Sequence, residues 1–400
     1  MNRHVFKQRH ANHYNLVLST ANQLYLQGGE EGERGLALLD TEWANIESGQ
    51  AWSAAQDTDN VRAAELCINY PVGGAQILNL RQSPTDCIRW LEAALEKAQH
   101  FNVRTHEGTL WNALGVYYSD LGNGERAIEC YGNALKRARE IGDRHGECSA
   151  LGNMGVMCAD LGETRRAIDY YQQNLAIAQE IGARRAESRA FGNLGLAYSA
   201  IGEVATGIEY YRKQLEVARE IGYERSEAAA LGNLGNAYRV LKKTGEAIDF
   251  YQQRIAIARK MNDTRAEGIV LGNLGVAYAD LEEWERAILI YKSQLEIVKK
   301  WKDRASEANA LGNLGIAYRN LGQPERSLDF YRDQLAIVEE IVDRRGQGNA
   351  VFNMSLALAQ LNRGEDAIRY AEEALTILEQ VESPYCEMVR TQLAAWRQEQ

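Results

Sequence analysis

Apolar and polar positions along this chain follow two nested periods. In the stretch around residue 170, Ile168, Tyr171, Leu175 and Ala178 fall at i, i+3, i+7 and i+10, one face of a helix, and Leu151, Met154, Gly155 and Cys158 form a second such face just upstream. This pair of faces then recurs in steps of 40 from Thr105 to Pro384. One column reads Ile88, Ile128, Ile168, Ile208, Ile248, Ile288, Leu328, Ile368, and another reads Leu95, Leu135, Leu175, Leu215, Ile255, Leu295, Leu335, Leu375. A third begins at Leu91 and is Tyr at 131, 171, 211, 251, 291 and 331. Each unit is therefore predicted to be two antiparallel helices, roughly 145–160 and 164–181 in one copy, joined by a tight turn at Leu161-Gly162-Glu163. A strict period of this length means a stack of supersecondary units that bury their faces against one another, an all-α fold whose function lies on the surface of the stack.

The boundaries carry chemical marks. Glu recurs in the first turn of the first helix at 107, 147, 187, 227, 267 and 307, where the positive end of the helix dipole favours it. Gly142, Gly182 and Gly222 follow the second helix, at the left-handed position that glycine suits. Gly115, Gly155, Gly195, Gly235, Gly275 and Gly315 lie inside the first helix, where each costs about 1 kcal/mol against Ala. The column is best explained by a second helix packed too closely to admit a Cβ.

Five successive copies carry Leu/Phe-Gly-Asn-Leu/Met-Gly, at Leu151–Gly155, Phe191–Gly195, Leu231–Gly235, Leu271–Gly275 and Leu311–Gly315. With Ala167 and Tyr171, these positions resemble the signature of the tetratricopeptide repeat. The 40-residue length and the Leu-Gly-Asn string are similar to the Pins-type adaptors and, more distantly, kinesin light chains. The resemblance implies a right-handed superhelical solenoid of seven units over 105–384. Residues 65–104 read as a degenerate further unit, with Pro71-Val72-Gly73-Gly74 in place of the Leu-Gly-Asn string. Residues 1–64 read as an N-terminal cap of two helices, about 3–27 and 31–56, and 385–400 as a C-terminal capping helix after Ser383-Pro384. The stretch 1–104, with Leu39-Asp40-Thr41-Glu42-Trp43-Ala44-Asn45-Ile46-Glu47, also resembles the segment before the repeats of bacterial STAND-type signalling proteins.

A formal net charge of -10 argues against nucleic acid as the main partner, since phosphate binding wants a positive footprint. The chain has no apolar run of membrane-spanning length, and Met1-Asn2-Arg3-His4 leads into no continuous apolar segment of a secretory signal. These readings point to a cytoplasmic protein with neither a membrane nor nucleic acid as partner. The cysteines, Cys67, Cys87, Cys130, Cys148, Cys158 and Cys386, form no Cys-x-x-Cys pair and read as reduced packing residues. His10 and His13 share a helix face without a third ligand in view, so no metal site is expected. No phosphate-loop string and no catalytic set stands apart from the repeat, so neither a cofactor nor an enzymatic activity is expected.

Candidate binding residues are those that stay polar, or vary, without a core reason. The resemblance places Asn153, Asn193, Asn233, Asn273, Asn313 and Asn353 on the concave face of the first helices, where the related families hold peptide ligands with such residues. Asn is a mediocre helix former, about half a kcal/mol worse than Ala. Two readings stand: the amides hold the main chain of an extended peptide, or each bonds the neighbouring repeat and stiffens the stack. Gly152, Gly192, Gly232, Gly272 and Gly312 beside them either keep a groove floor open or let successive first helices approach. One turn on, Val116, Val156, Leu196, Asn236, Val276, Ile316 and Leu356 form a mostly apolar floor. The next column holds Arg239 and Arg319, with Arg189 joining from an earlier turn. The arginines suit ligand carboxylates, or an internal pair with an acid such as Asp280. The expected function is a non-enzymatic scaffold binding a peptide or protein segment in the concave groove. A second hypothesis is the sensor array of a STAND-like system controlling a separate effector. A second copy of the chain is a further candidate occupant.

Overall fold

Helices of nearly equal length alternate with short turns through the repeats because each half of a unit ends in the same backbone feature. The computed structural model describes residues 3–57 and 59–398. In it φ turns positive in steps of 20 from Asn102 to Glu382, for instance +69° at Gly142, +60° at Lys242 and +59° at Val342. At the turn after residue 160, Glu163 N donates to Cys158 O at 2.8 Å and Gly162 N to Ala159 O at 3.0 Å, the paired bonds that close a helix on a left-handed residue. Glu163 is also the N-cap of the next helix, so one helix ends and another begins within a single tight turn. Several first helices have a side-chain cap as well: Asp143, Asp263, Asp303 and Asp343 accept from the backbone N–H at the third position on, at 2.9 to 3.1 Å.

The chain divides into two compact units, Met1–Gly207 and Ile208–Gln400. The first opens with the long antiparallel pair α1 (Arg3–Gln27) and α2 (Gly29–Ala54), then α3 (Val61–Gly73), which contains Pro71, and α4 (Pro84–His100). Their core holds Leu18, Leu39, Ile46, Tyr70 and Trp90, with Trp43 stacked on Trp90 at a centroid distance of 6.1 Å. Buried Lys97 donates to the Gln56 carbonyl at 2.8 Å, past the end of α2, where the helix dipole favours a cation. Hairpins α5–α6 (Arg104–Asp120, Gly124–Ile141) and α7–α8 (Arg144–Asp160, Thr164–Glu180) follow, then α9 (Arg184–Ala200) and the start of α10 (Val204–Glu220), within which the division falls. The second unit contains α11–α12 (Glu224–Val240, Thr244–Lys260), α13–α14 (Thr264–Asp280, Trp284–Lys300), α15–α16 (Arg304–Asn320, Pro324–Glu340) and α17–α18 (Arg344–Gln360, Gly364–Gln380). It closes with α19 (Cys386–Gln398), whose Val389 and Leu393 pack with Ile377 and Leu378. Glu399 and Gln400, where the last helix was expected to finish, lie outside the described residues.

The interior glycines have the cause the sequence suggests. A Cβ on Gly155, Gly235, Gly275 or Gly315 would run into the ring of Tyr171, Tyr251, Tyr291 or Tyr331 of the same hairpin. The two columns are one joint: a tyrosine of the second helix seats against bare backbone of the first. The other glycine column has a use beyond the two expected. Over Gly152, Gly232, Gly272 and Gly312 lie polar side chains of the second helix, Asn174, Arg254, Gln294 and Gln334, and the last three of these glycines are buried. They admit an internal polar wedge rather than leaving a floor bare.

The Glu column does more than meet a helix dipole. Glu147 is 2.7 Å from Arg139 of the preceding helix and 2.5 Å from Arg144 of its own; Glu267 is 2.7 Å from Arg259 of the preceding helix, and Glu307 is 2.6 Å from Arg304 of its own. A cation at the end of the preceding second helix thus ties one repeat to the next through a carboxylate with little exposure. Burial pushes the Glu147 pKa up, but Arg139 and Arg144 outweigh it and leave it below the usual value. A folded-state pKa below the unfolded one stabilises above the unfolded value and is lost as pH falls through the folded one. Glu147→Gln is therefore expected to lower stability at pH 7 by about 1–2 kcal/mol. In urea titrations the gap to wild type should close below pH 4; a gap independent of pH would mean that shape, not charge, matters there.

Candidate functional site

The first helices form the inner layer of each unit. In the first, α3, α5, α7 and α9 touch in succession, and in the second α11, α13, α15 and α17 do, whereas successive second helices do not pack comparably among the described residues. In a curved stack the layer whose members approach one another is the inner one. The Asn column lies on these helices, Asn153 and Asn193 in the first unit and Asn233, Asn273, Asn313 and Asn353 in the second, all half-buried.

Asn153 Nδ2 donates to Asn112 Oδ1 at 3.0 Å, the repeat-to-repeat bond of the stiffening reading. This rung depends on the first repeat having Asn112 where later copies have glycine. The same place relative to Asn273, Asn313 and Asn353 is held by Gly232, Gly272 and Gly312, which have no side chain to bond. Among the described residues the side chains of Asn233, Asn273, Asn313 and Asn353 make no hydrogen bond. The glycines that house the polar wedge thus also leave the next asparagine unpaired.

The other inner-face candidates separate. Asn236 accepts from the Tyr251 hydroxyl at 2.7 Å. Arg239 Nη1 donates to Asp280 Oδ2 at 3.2 Å; burial alone would lower the Arg239 pKa, but Asp280 and the Tyr251 hydroxyl leave it raised. Arg319 opposes the upward push of burial on the Tyr331 hydroxyl, as Arg239 does for Tyr251, yet where the earlier copy has Asp280 this one has Gln360, and where it has Asn236 this one has Ile316. Arg319 Nη1 and the Tyr331 hydroxyl are both shielded and without a partner. Arg189 is exposed on α9. The apolar floor is open in the first unit, where Val116, Val156 and Leu196 are 40%, 42% and 53% exposed.

The thiols are packing groups: Cys67, Cys87, Cys130, Cys148 and Cys158 are buried, and burial pushes Cys67 up to about 12. Among the described residues no three His, Cys, Asp or Glu side chains come together as metal ligands, and no helix is long and apolar enough to cross a membrane.

The sequence profile of the tetratricopeptide repeat matches residues 106–180, 186–260, 266–340 and 306–380. No curated protein matches the chain. Among solved structures, a signal-transduction ATPase with numerous domains (STAND) with a tetratricopeptide-repeat sensor, from Pyrococcus horikoshii, is similar at 14% identity and TM-score 0.63, over 99% of this chain and 60% of its own. The apo quorum sensor NprR of B. thuringiensis is 14% identical, with TM-score 0.57 over 87% of this chain and 97% of its own. A Rap protein complexed with Competence and Sporulation Factor is 15% identical, with TM-score 0.50 over 93% and 99%. At these identities the likeness is one of fold. The profile matches, falling on the hairpins whose tyrosines seat on glycine, place this chain in the tetratricopeptide-repeat family.

Proposed function

We propose that the chain binds an extended peptide or protein segment along the inner face of its first helices. The observation that carries this reading is the row of half-buried asparagines in the second unit whose amides have no partner within the protein. A carboxamide offers both donor and acceptor to a main chain. Packed helices stand ~8–10 Å apart and an extended chain advances about 3.3 Å per residue, so one asparagine meets every third ligand residue. Arg319, which has no counterpart to Asp280, is the inner-face cation available to an acidic ligand side chain, whereas Arg239 already holds an internal carboxylate. NprR is named a quorum sensor and the Rap protein is complexed with a factor, uses that agree with ligand binding by such a stack.

An Asn233→Ala/Asn273→Ala variant is expected to keep the helical signal and melting behaviour of wild type and to lose a partner retained from native lysate. Loss of a partner that an Asn153→Ala control still retains places the contact on the unpaired rungs. Equal retention by the double variant and wild type would sink the reading and leave the column structural.

A second reading, in which the array senses a trigger for a separate effector, is favoured by the match of 99% of the chain to a STAND protein with a sensor of this fold. It requires a ligand-induced change in shape or assembly, which scattering in the presence of the retained partner measures.

A further inference from the structure

The polar wedge beneath the inner face carries one charge. Where α8 has Asn174, α14 has Gln294 and α16 has Gln334, α12 has Arg254. Of the carboxamides, Asn174 Nδ2 donates to the Cys148 carbonyl at 2.6 Å, whereas Gln294 and Gln334 keep a shielded, unpartnered Oε1, a neutral acceptor where Arg254 brings a charge. Arg254 enters the equivalent gap over Gly232, which a Cβ would block. It makes no hydrogen bond or ion pair among the described residues, and its Nε is fully shielded and unpartnered. Burial lowers its pKa, against the smaller influence of Tyr251 and Asp263. Asp263 is engaged elsewhere, capping α13 through the Ala266 N–H at 2.9 Å. A half-buried guanidinium with a shielded Nε and no counter-charge opposes folding, and the copies with Gln show that the packing does not require one.

The way in can be read from the next repeat. There the crevice at Gln294 is lined by Arg265, Gly268, Ile269 and Ser306, among others. In register, the Arg254 copy has Arg225, Ala228, Ala229 and Ala266. A methyl at exposed Ala229 replaces the isoleucine, and exposed Arg225 adds a second guanidinium at the mouth. An entry formed there as at Gln294 would be rimmed by alanine and lead to a guanidinium with no internal partner, the planar match of one carboxylate on a flexible stem.

We propose that Arg254 is a carboxylate-binding site sunk between α11 and α13 and entered beside Asn233. Its natural occupant, an acidic side chain or chain terminus, rests on the inner-face reading above; the site itself can be tested without that ligand. The full chain and its Arg254→Gln variant are melted by circular dichroism in sodium chloride, sodium glutarate and sodium phosphate at matched ionic strength. In chloride the variant is expected to melt at or above wild type. Glutarate should raise the wild-type Tm by about 2–4 °C relative to chloride and leave the variant unmoved. Asn233→Ala/Asn273→Ala, which keeps Arg254, should retain the glutarate shift, so the two readings fail separately. The proposal is overturned if glutarate does not shift wild type, if it shifts both proteins equally, if phosphate protects more than glutarate, or if the variant melts well below wild type in chloride.

Discussion

Tyr291→Ala is expected to lower the stability of the Ile208–Gln400 unit by about 3–5 kcal/mol, the range for truncating a buried aromatic ring. Tyr291 is 3% exposed and sits in a cluster with Ile288, Leu314, Ala317 and Tyr318. Removing its ring opens a cavity beside Gly275. Repeats contact mainly their neighbours, so the loss should not spread evenly along the chain. Urea titration followed by far-ultraviolet circular dichroism should show an early transition absent from wild type. A shift equivalent to less than about 1 kcal/mol would mean that the ring is not the joint of its hairpin.

Gly275→Ala should destabilise wild type by about 1–3 kcal/mol, because the new methyl meets the Tyr291 ring and overpacks the joint. In the Tyr291→Ala background the same substitution should change sign. With the ring gone only helix propensity remains, and alanine exceeds glycine there by about 1 kcal/mol. The double-mutant cycle should therefore give a coupling of about 2–4 kcal/mol. Equal effects in the two backgrounds would separate the glycine column from the tyrosine column and leave the glycines unexplained.

Much of the fold was legible because the repeat makes each packing residue appear many times. Expected helices at 145–160 and 164–181 stand at Arg144–Asp160 and Thr164–Glu180, since Gly162 and Gly182 mark their ends. The glycine–tyrosine joint was half legible: glycine signalled close approach, but sequence does not say which side chain approaches. The polar wedge is harder to read because the 174, 254, 294, 334 column is a short polar interruption beside strong apolar columns, although stepping by 40 exposes it. The Glu ties are hard to read too; Arg139, Arg219 and Arg259 each pair with a Glu of the column across a turn, a spacing that belongs to no single helix. For the site, sequence selected the asparagines but could not show that Asn153 is partnered while the later ones are not, nor that Arg239 and Arg319 differ. Those distinctions depend on what stands in the adjoining repeat, Asn112 against Gly232, Asp280 against Gln360.

The recurrence of positive φ at every twentieth position means that the backbone does not distinguish the turn within a hairpin from the turn between hairpins. A single helix with its turn could be gained or lost with the remaining backbone turns unchanged, but each helix beyond it would change layers, turning asparagines outward and tyrosines inward. The chain thus counts in helices as a backbone and in hairpins as a surface. Only changes of whole hairpins lengthen or shorten the array without reversing the face it offers.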